Sequence, residues 1–136
     1  MNKEKIYKIL FVEDEPGFQE IFKNALERNR RYRIVQAFDG EEGLKRAREE
    51  KPDLILLDLI LPKKSGFELL KDFKEDKDLA VIPVIVLTNL ESGEDIEKAT
   101  SLGAKAYLIK ADYGLDEITS RIEKIIKDCI PDDENK

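Results

Sequence analysis

Residues 54–66 read LILLDLILPKKSG, and the first five of them decide the fold. Leu54, Ile55, Leu56 and Leu57 leave no polar face. That is the pattern of a strand covered on both sides in a parallel sheet. Asp58 then ends the run with a carboxylate. The same sequence of apolar run and polar stop recurs on either side. Residues 9–12 end in Glu13-Asp14-Glu15, residues 84–87 in Thr88-Asn89, and residues 106–109 in Lys110. A fifth run, residues 34–38, is broken by Gln36 and reads as an edge strand.

The intervening stretches carry helical spacing. Phe18, Ile21, Phe22, Ala25 and Leu26 line one stripe, and Ile118, Ile122, Ile125, Ile126 and Cys129 another. Leu44 with Ala47, and Phe67 with Leu70 and Phe73, mark two shorter helices. The helix around Ile96 and Ala99 has the thinnest apolar face and is expected to be held least firmly. Pro16 near a helix start, the turn dipeptide Asp39-Gly40 and Gly103 as a terminator mark boundaries. Five β/α units in series imply an α/β doubly wound parallel sheet with right-handed crossovers.

A length of 136 residues suits one domain, expected over residues 1–130, with a disordered acidic tail over 131–136. The formal net charge of −6 argues against a nucleic-acid partner, which needs clustered cations. Arg28, Arg30, Arg31 and Arg33 read as a solvated helix end. A single cysteine, Cys129, excludes an internal disulfide and reads as packing. The absence of histidine excludes Ser/His/Asp and Cys/His triads, so any chemistry falls to carboxylates, hydroxyls, lysine and a hard metal. No apolar stretch approaches the ~20 residues of a membrane span and no signal core is visible, so the expectation is a cytoplasmic protein.

In a parallel sheet the carboxyl ends of the strands share one edge, where ligands of doubly wound folds bind. Glu13, Asp14, Asp58, Thr88 and Lys110 would gather there. Each alone could be a mere strand stop. Together the carboxylates repel and raise one another's pKa unless a cation relieves them. A hard ion such as Mg²⁺ suits such a donor set, and Lys110 adds a fixed positive charge. The set fits a site that moves a phosphoryl group.

These residues give the chain a resemblance, from about Lys8 to Cys129, to the receiver domains of response regulators in two-component signalling. ILFVEDEP, LILLDLILPKKSG, VIVLTN and AKAYLIK carry it, in order and at the right strand ends. The resemblance implies a flavodoxin-like sheet of order 2-1-3-4-5 flanked by five helices. It implies Asp58 as phosphoacceptor and Mg²⁺, with Mn²⁺ as a substitute, held by Asp14, Asp58 and the Ile60 carbonyl, with Glu13 acting through a bound water. Thr88, Asn89 and Lys110 would meet the phosphoryl oxygens. Thr88 and Tyr107 would form the switch, and Pro62 and Gly66 would shape the loop after Asp58. The implied function is a phosphoryl-accepting switch rather than an independent enzyme. A sensor histidine kinase or phosphotransfer protein would charge it, and a surface of the fourth helix, fifth strand and fifth helix would address a protein target. No nucleic acid or membrane partner is expected, and the chain would be a monomer or a phosphorylation-dependent dimer.

Ile60 and Leu90 are apolar where side chains can guide water, so a long-lived phosphorylated form is expected. Ala111 follows Lys110 where the family commonly has proline; a cis bond there would cost about 3 kcal/mol, so trans geometry or strain is expected. A phosphatase of the haloacid dehalogenase type would need a second aspartate at position 60. An FMN carrier would need a Ser/Thr/Gly-rich loop where Glu13-Asp14-Glu15 stands. An inactive scaffold is the remaining alternative.

Overall fold

The structure is a computed structural model and describes residues 5–130. The expected tail over 131–136 lies outside the described residues. In chain order the elements are β1 (Tyr7–Val12), α1 (Pro16–Glu27), β2 (Tyr32–Ala37), α2 (Gly40–Glu50), β3 (Leu54–Leu57), α3 (Gly66–Glu75), β4 (Val84–Thr88), α4 (Gly93–Ser101), β5 (Ala106–Ile109) and α5 (Leu115–Cys129). A 3-10 turn, Lys110–Asp112, joins β5 to α5. The strands are all parallel in the order β2-β1-β3-β4-β5, with β2 at an edge as its broken pattern implies.

Alternation along each strand explains why the central runs are aliphatic throughout. Ile9, Phe11, Leu54, Leu56, Ile85, Leu87 and Leu108 pack with Phe22 and Leu26 of α1 and with Ile118, Ile122 and Ile126 of α5. Leu10, Val12, Ile55, Leu57, Val84 and Val86 pack on the other face with Ala47, Leu69, Leu70, Phe73 and Ala99 of α2, α3 and α4. Both faces are covered, so a polar residue inside β3 would be buried whichever way it pointed.

Helix starts follow side-chain chemistry. Glu15, Asp39, Ser65 and Ser92 cap α1, α2, α3 and α4 by accepting main-chain N–H bonds, and Ser65 with Glu68 forms a reciprocal capping box. Asp39-Gly40 is thus the cap and first residue of α2 rather than a free-standing turn. Gly103 stands just past α4 at φ 105°, a torsion glycine adopts without steric cost. Gly66 is fixed by space: a Cβ there would lie 2.4 Å from the Asp58 carbonyl oxygen and 2.6 Å from Leu59 Cα.

Two packing expectations need correction. Ile21 is 53% exposed, and the fully buried polar residue Gln19 takes the inner face of α1 with Phe22 and Leu26. The spacing 19, 22, 26 is the true helical stripe. Phe38 lies beyond β2, whose register against β1 runs from Tyr7↔Tyr32 to Val12↔Ala37. The thin face of α4 is as expected, with Ala99 its one buried residue. Among the described residues no helix is long and apolar enough to cross a membrane.

Candidate functional site: an acidic mouth closed by a lysine

Register carries the first residues of the site into place. Val12 pairs with Leu57, so the next residues, Glu13 and Asp58, emerge side by side, with Asp58 N–H donating to the Val12 carbonyl at 3.0 Å. Thr88 pairs with Ile109, so Asn89 and Lys110 emerge together as well. Alternation then sorts the side chains. Glu13, Asp58 and Lys110 continue the α1/α5 face set by Phe11, Leu56 and Leu108, while Thr88 and Tyr107 belong to the α2–α4 face.

The Lys110 ammonium bridges the two buried carboxylates. It donates to Glu13 Oε1 at 2.5 Å and to Asp58 Oδ2 at 2.8 Å. Its Nζ also lies 4.4 Å from the centre of the Phe18 ring, whose electron-rich face favours a cation. Glu13 is 1% exposed and Asp58 5%. The second oxygens accept main-chain bonds, Glu13 Oε2 from Glu15 N–H at 3.0 Å and Asp58 Oδ1 from Ile60 N–H at 3.2 Å. Burial pushes the Glu13 carboxyl up to about 6, outweighing the hydrogen bonds from Lys110 and Glu15. Burial alone would lower Lys110, but its hydrogen bonds with Asp58 and Glu13 outweigh that and hold it above the ordinary lysine value.

Asp14 is exposed at the rim, and oxygens of Glu13, Asp14 and Asp58 lie within 4.8 Å of one another. Three all-oxygen donors at this separation fit a small hard cation. The ammonium now between Glu13 and Asp58 offsets part of the negative charge that such an ion would neutralise. A buried pair of this kind adds little net stability, because desolvation consumes the Coulombic gain. Its value is to hold two carboxylates side by side at the mouth of the site.

Thr88 is wholly buried, and its Oγ1 accepts from Leu90 N–H at 3.5 Å. Tyr107 donates its hydroxyl to the Leu90 carbonyl at 2.7 Å. Burial, with the Asp95 and Asp58 charges, pushes that phenol up to about 12, so it keeps its proton. Thr88 and Tyr107 therefore both engage the backbone of Leu90. Asn89 is exposed, and its Oδ1 accepts from Ala111 N–H at 3.0 Å. The Lys110–Ala111 peptide is trans, since no described peptide is cis, and the chain there forms the 3-10 turn.

Sequence reasoning missed three contributors. Gln19 Nε2 donates to the carbonyls of Phe11, Glu13 and Ala37, tying the ends of β1 and β2 beneath the acidic loop. Its signal was present as a polar residue in step with Phe22 and Leu26. Phe18 read only as core. Ala111 gave no signal beyond being other than proline.

A doubly wound sheet with clustered carboxylates and a half-buried lysine at its carboxyl edge defines a phosphoryl-accepting switch of the flavodoxin-like class. The family pattern for the response regulator receiver domain matches residues 9–123, and the chain belongs to that family. It is 38% identical over 127 residues to the alkaline phosphatase synthesis transcriptional regulatory protein PhoP of Bacillus subtilis (strain 168), covering 93% of this chain and 50% of that protein. The chain spans about half the length of this and another of the curated relatives it matches. Among solved structures, the phosphorylated cyanobacterial phytochrome response regulator RcpA superposes with a TM-score of 0.81 at 32% identity, over 93% of this chain and 95% of that one. The Mn²⁺-bound response regulator Rcp1 does so with a TM-score of 0.77 at 30% identity, over 89% and 92%.

Proposed function

We propose that Asp58 accepts the phosphoryl group, with Mg²⁺ bound beside it and a protein phosphohistidine as donor. The observation that carries this is the Lys110 ammonium 2.8 Å from Asp58 Oδ2, in a mouth where three carboxylates approach within 4.8 Å. Asp14, Asp58 and the Ile60 carbonyl would hold the ion directly and Glu13 through a bound water. Mn²⁺, the ion in the Rcp1 structure, would serve as a substitute. When bound, the ion supplies positive charge against the equatorial phosphoryl oxygens.

In the transfer, a carboxylate oxygen of Asp58 forms a bond to phosphorus as the bond to the donor's imidazole nitrogen breaks. That nitrogen keeps the electron pair and takes up a proton. Lys110 turns its ammonium from the carboxylates to the transferred group, and Thr88 donates its hydroxyl to another phosphoryl oxygen. Asn89 stands beside them with its NH₂ free of the Ala111 bond. The domain assists its own phosphorylation and dephosphorylation and is not otherwise an enzyme.

The new group brings close to two negative charges at neutral pH. Drawing Thr88 toward it disturbs the Leu90 backbone, to which the Tyr107 hydroxyl is also tied. Tyr107 would then change rotamer, and α4, β5 and α5 would present a different surface to a target protein. A net charge of −6 supports a protein rather than a nucleic acid as the direct contact of this domain. A sensor histidine kinase or phosphotransfer protein in the cytoplasm would charge it, with the domain a monomer or a phosphorylation-dependent dimer.

Incubation with Mg²⁺ and acetyl phosphate, followed by intact-mass measurement, tests the acceptor. The wild-type protein should gain one phosphoryl mass and Asp58→Asn none. Equal uptake by both would contradict the proposal.

A further inference from the structure

Thr88 and Lys110 stand at the ends of neighbouring strands, where the pair Thr88↔Ile109 is the last rung of the β4–β5 ladder. Beyond it the chains part, one into the loop before α4, the other into the Lys110–Asp112 turn. A hydrogen bond spans the gap, from Ala111 N–H to Asn89 Oδ1 at 3.0 Å. The hydrogen belongs to the peptide that joins Lys110 to Ala111. Because a peptide unit is planar, fixing its N–H fixes the main-chain torsion beside the Lys110 side chain. At its other end the bond holds Asn89, the residue next to Thr88.

Apart from the Lys110 ammonium, held by Glu13 and Asp58, the turn has few other anchors. None of its three residues is buried and no side chain caps it; its own closing bond, Tyr113 N–H to the Lys110 carbonyl, is 3.4 Å long. Ala111 has a hydrogen to give, which a proline in its place would lack.

We propose that Asn89 is a positioning residue. Through the 110–111 peptide it ties the Thr88 hydroxyl and the Lys110 ammonium into one unit, so that both meet the phosphoryl oxygens together. This rests on Asp58 being the acceptor. It gives the Asn89 oxygen a task separate from any direct contact of its NH₂ with the phosphoryl group.

The test is a double-mutant cycle of Asn89→Ala and Ala111→Pro, reading the rate of labelling by acetyl phosphate at saturating Mg²⁺. Asn89→Ala should lower the maximal rate roughly three- to tenfold, the change that one net hydrogen bond commands, without moving the acetyl phosphate concentration at half-maximal rate. In the Ala111→Pro background the same substitution should cost markedly less, because the bond to the Asn89 oxygen is already gone and only a contact of its NH₂ is left to lose. An equal loss in both backgrounds would mean that Asn89 acts on the phosphoryl group itself and would overturn the proposal, as would no loss in either.

A residue before proline is steered out of helical torsions, so amide exchange at Ala111 provides the second measurement. Protection in the wild type and in Asn89→Asp, which keeps the acceptor, and its loss in Asn89→Ala are expected. Equal exchange in all three would overturn the pin. Should the wild type take up no phosphate at all, the Asp58 reading falls, and Ala111 exchange still decides whether the bond exists.

Discussion

Between Glu13 and Asp58 stands a single ammonium, and removing it would leave two buried carboxylates facing each other. Breaking a buried pair in this way costs about 3–5 kcal/mol unless a carboxylate takes up a proton. Glu13 is the group prepared to do so, since burial has already pushed it up to about 6 from 4.5. Its folded value lies above its unfolded one, so its contribution to stability is fully present below about 4.5 and is lost as pH rises through about 6. Metal-free protein unfolded in urea across this range should show that loss, and Glu13→Gln should flatten it. An unchanged profile in Glu13→Gln would assign the titration to another group.

At the scale of elements, the site depends on how closely α3 meets the end of β3. Gly66 brings the helix start against the Asp58 carbonyl, and Gly66→Ala would force backbone apart, because the two closest atoms to a Cβ there belong to the main chain of Asp58 and Leu59. Overpacking of this kind costs about 1–3 kcal/mol, so Gly66→Ala should lower the melting temperature and weaken Mg²⁺ binding, by calorimetry, together. On the far side of the mouth, α4 buries Ala99 alone whereas α3 buries Gly66, Leu69, Leu70 and Phe73. Native-state hydrogen exchange should find α4 amides opening at lower free energy than those of α3, as befits an element that moves. Equal protection would remove the physical basis for a mobile α4.

Across the whole molecule, the elements along the chain were legible because the aliphatic runs suit strands covered on both faces and the stretches between them carry helical spacing, while the sheet order came only with the family resemblance. Asp58, Glu13 and Lys110 were legible because each is the first polar residue after such a run. What one sequence hid was set by tertiary approach. Nothing local distinguishes Ile21 from Phe22, yet only the latter faces the sheet. Asn89 and Ala111 lie 22 positions apart and meet only because β4 and β5 are adjacent. The Lys110 bridge to Glu13 likewise needed the register of β1 and β3 as well as the rung to β5.

Every role proposed for Thr88, Asn89, Tyr107 and Lys110 depends on the phosphoryl group being carried by Asp58. Borohydride reduces an acyl phosphate to the alcohol, which would turn a phosphorylated aspartate into homoserine. Reduction of the Mg²⁺ and acetyl phosphate product, followed by peptide sequencing in a mass spectrometer, should find homoserine at position 58. Homoserine at another aspartate, or phosphorylated protein that yields none, would contradict it.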